Sequence, residues 1–293
     1  MSFEDHRNYL FAVAYRILGS AADAEDAVQD AWISWSSADR SGVAEPRAYL
    51  VRIVTNLAVD RLRSGQRRRE TYVGPWLPEP VLTGPDIAES AERAESVSLA
   101  MLVVLERLTP LERAVFVLKD VFGVPHTEIA VAIDRSEATV RQLAHRARAH
   151  VEEHRPRFRA SPQEKKAATD RFLAAATGGD INALMEVLAP DVTLWTDGGG
   201  KVRQALRPVV GAERVAPWLT GVASRPYEGV AIEDMVFTTV ELNGGPALFV
   251  SSPAGPLATL SVDLDADGRV TTVHNIANPD KLAPLAKGAS LAF

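Results

Sequence analysis

The stretch that most constrains the fold is residues 126–149, with the sequence HTEIAVAIDRSEATVRQLAHRARA. We predict a short helix over residues 127–133, a tight turn at Asp134-Arg135, and a second helix for which Ser136 is the N-cap. Apolar residues recur on the second helix at intervals of three and four, namely Val140, Leu143 and Ala147. Two helices joined in this way form a helix-turn-helix, so this part of the chain is predicted to be an all-α domain.

The other faces of the second helix carry long hydrogen-bond donors. These are Arg141, Gln142, His145, Arg146 and Arg148. Arginine pairs with guanine edges and glutamine with adenine edges, so a helix with this composition is typical of DNA recognition in the major groove. The alternative is an arginine-rich helix that is merely solvated.

A second basic stretch is EPRAYLVRIVTNLAVDRLRSGQRRRE, residues 45–70. We predict a helix that begins near Pro46 and ends at Gly65. Its predicted core residues are Ile53, Leu57 and Leu62, and its predicted outward residues are Arg52, Thr55, Asn56 and Arg63. Clustered arginines at positions 61, 63, 67, 68 and 69 indicate an electrostatic contact with nucleic acid, although a solvated basic helix fits equally well.

Apolar residues at helical spacing predict two further helices before residue 40. The first ends at Gly19, and the second has Ser20 or Asp23 as its N-cap. The predicted core positions are Leu10, Val13, Ala14, Ile17 and Leu18 in the first helix, and Ala24, Ala27, Val28, Ala31 and Trp35 in the second.

Residues 71–95 contain four prolines, so we predict a linker between two helical domains. Trp76 and Leu77 are apolar residues that a freely solvated linker would not carry. We therefore expect the segment WLPEP to dock on another surface.

The last third of the chain changes from helical to strand-like patterns. Two amphipathic helices are predicted over residues 161–180 and 181–190. Strand-like runs follow at residues 192–196, 230–242, 247–252, 257–265 and 269–277, with turns at Asn243-Gly244-Gly245 and Asp267-Gly268. Helices followed by antiparallel strands indicate an α+β domain.

The composition and the N-terminal sequence bear on where the protein is located in the cell. The chain has 293 residues, no cysteine and a net charge of -6. The N-terminus lacks a basic region followed by an apolar core, and no apolar run approaches the roughly 20 residues of a membrane helix. We expect a cytoplasmic protein with no membrane partner.

Several stretches, in this order along the chain, resemble regions two and four of an extracytoplasmic-function sigma factor. They are AYRILGSAADAEDAVQDAWISW, RAYLVRIVTNLAVDRLRS and LTPLERAVFVLKDVFGVPHTEIAVAIDRSEATVRQLAHRARA. The tail is similar to that of the SigJ-type group, which carries WLPEP (76–80), DGGGK (197–201) and NPDKL (278–282) and ends in a SnoaL-like domain of ketosteroid-isomerase-like fold. The resemblance implies a region 2 domain (1–70), a linker (71–95), a region 4 helix-turn-helix domain (96–160) and a SnoaL-like domain (161–293).

The resemblance also implies roles for individual residues. The β′ clamp helices of core RNA polymerase would be bound by Asp23, Asp26, Gln29, Asp30 and Trp32. Asn56, with its neighbours Arg52 and Asp60, would contact the melted minus-ten promoter element, and Arg61 and Arg63 are further expected DNA contacts. The minus-thirty-five element would be contacted by Arg141, Gln142, His145 and Arg146. The β flap is a further expected polymerase contact.

The stretch DGGGK lacks the spacing of a phosphate-binding loop, because Lys201 is followed by Val202 rather than a hydroxyl residue. Three glycines permit close backbone approach, so we expect an interdomain regulatory contact rather than a nucleotide site. Its predicted members are Trp76, Leu77, Pro78, Glu79, Pro80, Asp197, Gly198, Gly199, Gly200, Lys201, Asn278, Pro279, Asp280, Lys281 and Leu282. An ordinary hairpin loop remains the alternative.

We predict a sigma factor modulated by its C-terminal domain, with no catalytic residue, cofactor or metal. The sequence HVEEH at 150–154 matches an inverted zinc-protease pattern, but the arginines that follow it would repel a cation. Trp195, Asp197, Trp218 and His274 can line a cavity for an unidentified small ligand. The alternatives are a SnoaL-like isomerase or cyclase with a DNA-binding appendage, and a helix-turn-helix repressor.

Overall fold

The computed structural model describes residues 3–38, 43, 45–83, 96, 98–154, 161–223, 225–286 and 290–291. The chain divides into two compact units. The first unit comprises Met1–Thr71, Met101–Arg155 and Leu291–Phe293, and the second comprises Tyr72–Ala100 and Pro156–Ser290. The second half of the predicted linker, residues 84–95, lies outside the described residues.

The N-terminal part of the first unit consists of three helices after a 3-10 turn, Glu4–His6. They are α1 (Arg7–Leu18), α2 (Ala21–Ser37) and α3 (Pro46–Glu70). Gly19 ends α1 in the left-handed conformation, with φ 69°, and the Ser20 side chain caps α2 by accepting a hydrogen bond from the Asp23 amide at 3.0 Å. The apolar stripes predicted for α1 and α2 are buried, as expected.

Two expectations for α3 are wrong. The helix continues through Gly65 to Glu70, because one glycine inside a helix costs only about 1 kcal/mol relative to alanine and does not by itself end it. Thr55 is buried rather than outward, since it lies beside Val54 and one turn before Ala58 on the face that packs into the core.

The rest of the first unit is the helix-turn-helix part. It consists of α4 (Leu99–Leu105), whose first two residues fall in the second unit, α5 (Pro110–Phe116) with a π turn (Val117–Val121), α6 (His126–Ala132) and α7 (Glu137–His154). Asp134 takes a positive φ of 52° between α6 and α7, and the Ser136 hydroxyl accepts a hydrogen bond from the Thr139 amide at 3.2 Å. The predicted apolar face of α7 is buried against α5 and α6.

Two buried arginines join α1 to α5. The Arg113 Nε atom donates a hydrogen bond to the Arg16 carbonyl at 3.2 Å, and its guanidinium pairs with Glu106. Burial lowers the pKa of both Arg16 and Arg113 to about 9. Both arginines remain charged at neutral pH. The packed helices of this unit therefore enclose two charged guanidinium groups.

The second unit is a mixed sheet with helices. Its helices are α8 (Pro162–Thr177), α9 (Ile181–Val187), α10 (Ala212–Ala223) and α11 (Pro279–Ala286), and there is a 3-10 turn at Ile232–Asp234. Its strands are β1 (Leu82–Thr83), β2 (Leu188–Asp197), β3 (Val209–Val210), β4 (Val236–Leu242), β5 (Gly245–Ser252), β6 (Gly255–Leu264), β7 (Val270–Ile276) and β8 (Ser290–Leu291), of which only Ser290 belongs to this unit. The strand order is β3-β2-β7-β6-β5-β4-β1-β8.

The expectation of an antiparallel sheet is only partly right. Strands β4 to β7 form an antiparallel meander, but β2 pairs parallel with β7, with Leu194 opposite Val273. A parallel pair needs a long connection, which here is the whole segment from β3 to β6. The main core lies between the sheet and α8 to α10, around Phe172, Leu194 and Val215.

Helices α10 and α11 were not among the predicted elements. Each contains an internal proline, Pro217 in α10 and Pro284 in α11, and proline is unusual in a helix interior. In the described part of the chain, no helix is long and apolar enough to cross a membrane.

Candidate functional site

Asp197 is the centre of a buried polar cluster at the end of β2. Its side chain is fully buried. Its Oδ1 atom accepts a hydrogen bond from the Tyr72 hydroxyl at 2.5 Å, and its Oδ2 atom accepts from the Leu77 amide at 2.7 Å and from Lys281 Nζ at 2.6 Å. A carboxylate removed from water is stabilised here by three donors, two of which belong to the linker.

Lys281, on α11, is the cation of this cluster and is also buried. Besides Asp197, its ammonium group donates to the Leu77 carbonyl. It lies 4.0 Å from the ring centroid of Trp76 and 5.0 Å from that of Tyr72. The linker therefore surrounds a buried ion pair with a carbonyl and two aromatic faces, all of which favour a cation.

Tyr72 and Asn278 extend the cluster. The Asn278 Nδ2 atom donates to the Tyr72 hydroxyl at 2.7 Å, and the Asn278 Oδ1 atom accepts from the Asp280 amide at 3.1 Å at the start of α11. Burial, followed by the hydrogen bond to Asp197, raises the pKa of Tyr72. Tyr72 thus keeps its proton and acts as a donor to Asp197.

The glycines of DGGGK give the linker room to pack. Gly199 and Gly200 have φ of 60° and 71°, which side chains rarely adopt. A Cβ atom at Gly199 would lie 2.7 Å from Cγ of Asn278 and 3.0 Å from the Tyr72 hydroxyl, and one at Gly200 would lie 3.0 Å from Cβ of Val73. Glycine is required at Gly199 by both conformation and space.

Two residues of the DGGGK loop remain: Gly198 contacts the loop itself, and Lys201 forms an ion pair at the surface. A Cβ atom at Gly198 would lie 2.7 Å from the Val202 carbonyl, so Gly198 allows the loop to fold back on itself. The Lys201 Nζ atom pairs with Asp280 Oδ2 at 2.6 Å, but both side chains are more than half exposed. Exposed pairs of this kind contribute little to stability, about 0–1 kcal/mol.

The linker continues from this cluster onto the sheet. Leu77, Pro78, Glu79, Pro80 and Val81 are buried, and Trp76 is half-buried. The Asn243 amide donates to the Val81 carbonyl at 3.0 Å, and the Val81 amide donates to Asn243 Oδ1 at 3.2 Å. Leu82 then pairs with Leu242, so that the linker adds a short strand beside β4.

The structure brings WLPEP, DGGGK and NPDKL together inside the second unit. Pro279 is the first residue of α11, and Leu282 is fully buried beneath it. Asp197 is hydrogen-bonded to the linker instead of lining an open cavity with Trp218 and His274. The role of these residues in regulation stays a prediction.

Sequence reasoning missed Tyr72 as a member of the cluster. Tyr72 is an aromatic residue at the start of a proline-rich segment, and the criterion that singled out Trp76 would have found it. No sequence pattern pairs it with Asn278, which is 206 positions away.

The outward residues predicted on α7 are exposed in the structure. They are Arg141, Gln142, His145 and Arg146. Arg141 pairs with Glu137, and the Arg146 Nε atom lies 3.0 Å from Glu112 Oε1, while the Arg146 side chain stays 65% exposed. These side chains lie on the solvent-exposed face of α7, where a ligand can reach them.

Residues predicted to bind two different partners meet between α2 and α3. The Arg61 guanidinium lies 2.5 Å from Asp30 Oδ2 and 3.6 Å from Asp26 Oδ2. On the same helix α2, Gln29 is exposed and Trp32 is 48% exposed, whereas Asp23 is half-buried. Tryptophan is enriched at protein–protein interfaces relative to the rest of the protein surface.

Along α3, four of the residues predicted to contact DNA form one stripe. Asn56, Asp60 and Arg63 are exposed, and Arg52 is half-buried. The Arg63 Nη1 atom pairs with Asp60 Oδ1 at 3.1 Å, and the Arg52 guanidinium lies 5.0 Å from the Tyr49 ring centroid.

Comparisons with known proteins agree with this organisation. Sigma-70 region 2 matches residues 2–68, and Sigma-70, region 4 matches residues 98–151. ECF RNA polymerase sigma factor SigJ of Mycobacterium tuberculosis is 40% identical over 288 residues, which covers 95% of this chain and 91% of that protein. The crystal structure of M. tuberculosis SigJ covers 99% of both chains with 36% identity and a TM-score of 0.75.

The C-terminal part also has structural neighbours. A SnoaL-like protein from Burkholderia thailandensis is 15% identical and covers 40% of this chain and 96% of its own, with a TM-score of 0.31. Both sigma-70 regions and the full-length likeness to SigJ define the class. The chain belongs to the extracytoplasmic-function RNA polymerase sigma factors of the SigJ type.

Proposed function

We propose that the exposed residues of α7 contact the minus-thirty-five promoter element, while the stripe on α3 contacts the melted minus-ten strand. The observation that carries this proposal is the accessibility of Arg141, Gln142, His145 and Arg146 on one side of a helix-turn-helix whose other side is buried. Long donors on a rigid helix suit the hydrogen-bonding edges of the major groove.

We expect that Arg141→Ala and Arg146→Ala each lower run-off transcription from a cognate promoter by roughly tenfold, because a lost bidentate base contact costs about 1–3 kcal/mol. Binding to core polymerase should be unchanged. Arg214→Ala is the matched control, since Arg214 is exposed on α10 in the other unit. Wild-type promoter occupancy in both α7 variants would remove these arginines from the recognition surface.

The surface of α2 formed by Asp26, Gln29, Asp30 and Trp32 is proposed to bind the β′ clamp helices, and the helix-turn-helix part is proposed to contact the β flap. The two carboxylates are 62% and 46% exposed even though both lie near Arg61. They remain available to a basic partner surface, and Trp32 supplies an apolar anchor beside them.

For this surface we expect the double variant Asp26→Arg/Asp30→Arg to bind core polymerase at least about tenfold more weakly, because like charges across an interface cost several kcal/mol. Asp170→Arg is the control, since Asp170 is exposed on α8. Circular dichroism checks that the loss of both partners of Arg61 leaves the helices folded. Undiminished capture of core polymerase by the folded double variant contradicts this role.

We further propose that the C-terminal domain restrains the linker and acts as a tethered regulator. The supporting observation is the burial of the linker around Asp197 and Lys281. A tethered contact operates at an effective concentration of roughly millimolar, so a modest affinity is enough to hold the linker. Polymerase binding would then compete with an intramolecular contact.

The same geometry argues against an isomerase or cyclase. A general base needs an accessible carboxylate within reach of substrate, whereas Asp197 is fully buried and accepts hydrogen bonds from Tyr72, Leu77 and Lys281. We therefore propose a non-enzymatic regulator that acts in the cytoplasm with core polymerase, and any small ligand of the C-terminal domain would bind elsewhere than Asp197.

Run-off transcription with purified core polymerase tests the proposed function as a whole. The full-length chain should start transcription at a defined promoter, and core polymerase alone should not. If a folded, core-bound chain yields no promoter-specific transcript from any sequence in a random promoter library, the proposed DNA contacts are wrong.

A further inference from the structure

A groove of about 910 Å³ lies in the first unit, between the N-terminal helices and the helix-turn-helix part. One wall carries Tyr9, Arg47, Tyr49 and Arg52 from α1 and α3, and the other includes Phe122 and Glu128. Its volume is in the range of sites for cofactors and drug-sized ligands, about 300–1,000 Å³.

Arg47 and Arg52, the two arginines in this groove, differ from other arginines of the same unit in their interaction partners. The Arg47 guanidinium lies 4.1 Å from the Tyr9 ring centroid, and that of Arg52 lies 5.0 Å from the Tyr49 ring centroid. Within the described ranges neither has a carboxylate within 4.0 Å, whereas Arg61, Arg141, Arg146 and Arg148 all do. Two cations without an anionic partner therefore face a cavity beside aromatic rings.

The groove is not simply basic. Glu45 and Glu128 also line it, and both are exposed. A simple anion would be attracted by the arginines and repelled by these carboxylates. A ligand that presents an anionic group at one end and hydrogen-bond donors at the other would satisfy both.

We propose that this groove binds a guanine nucleotide. Its phosphates would pair with Arg47 and Arg52, since a guanidinium recognises phosphate through paired hydrogen bonds. The ring N–H and the exocyclic amino group of the base would donate to the carboxylate of Glu128. Among the common bases, guanine presents two adjacent donors that match one carboxylate.

Binding has a consequence for transcription, and this consequence rests on the proposed function. Arg52 belongs to the stripe proposed to contact the melted strand, so a bound nucleotide would compete with promoter DNA. The groove has walls from both parts of the first unit, so a ligand in it would also stabilise their packed arrangement by mass action. The nucleotide would therefore lower promoter-specific transcription.

Isothermal titration of the full-length chain with GDP tests the binding directly and does not depend on transcription. We expect a single site, with Arg47→Ala weakening the affinity at least about tenfold through the lost charge-assisted contact. Arg107→Ala should bind GDP like the wild type, because Arg107 is an exposed arginine of the same unit outside the groove.

The base contact has its own test. IDP lacks the exocyclic amino group, so wild type should prefer GDP to IDP, and Glu128→Gln should lose most of this preference. Absence of GDP binding overturns the proposal, as does equal binding by wild type and Arg47→Ala. GDP binding with no preference over IDP overturns the assignment of guanine.

Discussion

Replacing Lys281 by methionine should release the linker from the C-terminal domain. The change keeps an unbranched apolar side chain but leaves Asp197 as a buried carboxylate without its cation. Breaking a buried ion pair by removing one partner typically costs about 3–5 kcal/mol. Hydrogen exchange at the Leu77 amide, which donates to Asp197, should accelerate accordingly.

Lys201→Met is the matched control for this prediction. Its Nζ–Oδ2 distance to Asp280 is 2.6 Å, the same as that between Lys281 and Asp197, but both groups are largely exposed. The free energy of linker opening should then change by less than about 1 kcal/mol. Equal effects of the two variants on the Leu77 amide would show that burial of the Lys281 pair does not hold the linker.

Gly199→Ala should be the most damaging small substitution in the loop. The new methyl group would overlap Asn278, which is itself held by Tyr72 and by its hydrogen bonds at the start of α11. The positive φ adds a further cost of about 1–2 kcal/mol for an L-residue. Overpacking typically adds about 1–3 kcal/mol, so a total loss of about 2–5 kcal/mol is expected.

The control for Gly199 is Gly179→Ala. Gly179 has φ of 68°, but a Cβ atom there meets nothing within 4 Å, so only the conformational cost applies. Denaturant unfolding should therefore show a smaller loss for Gly179→Ala than for Gly199→Ala. If the two losses are the same, close approach of the linker is not the reason for glycine at this position.

Local signals predicted the first unit well. The α7 face defined by Val140, Leu143 and Ala147 and the Ser20 cap depend on residues a few positions apart, and both are present in the structure. The hydroxyl of Thr55 favours an outward position, but its place on α3 puts it on the buried face. The position of a residue in the helical repeat therefore predicts its burial better than the polarity of its side chain does.

The second unit was less predictable because its contacts are distant in sequence. The parallel pairing of β2 with β7 joins residues about 80 positions apart, and periodicity carries no information on such pairing. The motifs WLPEP, DGGGK and NPDKL were individually recognisable, but only the fold shows that Asp197 and Lys281 form one buried pair beneath the linker. Tyr72 is recognisable by the same local criterion as Trp76, but its partners Asp197 and Asn278 are not.

Run-off transcription by Lys281→Met beside wild type and Lys201→Met, with equal amounts of core polymerase, tests the central claim most directly. The claim is that the C-terminal domain restrains the linker between the two promoter-contacting parts of this sigma factor. We expect the Lys281 variant to give severalfold more transcript at limiting core polymerase, because the polymerase no longer competes with the intramolecular contact, and Lys201→Met to match wild type. Transcription equal to wild type by a Lys281 variant whose Leu77 amide has lost its protection would contradict the claim.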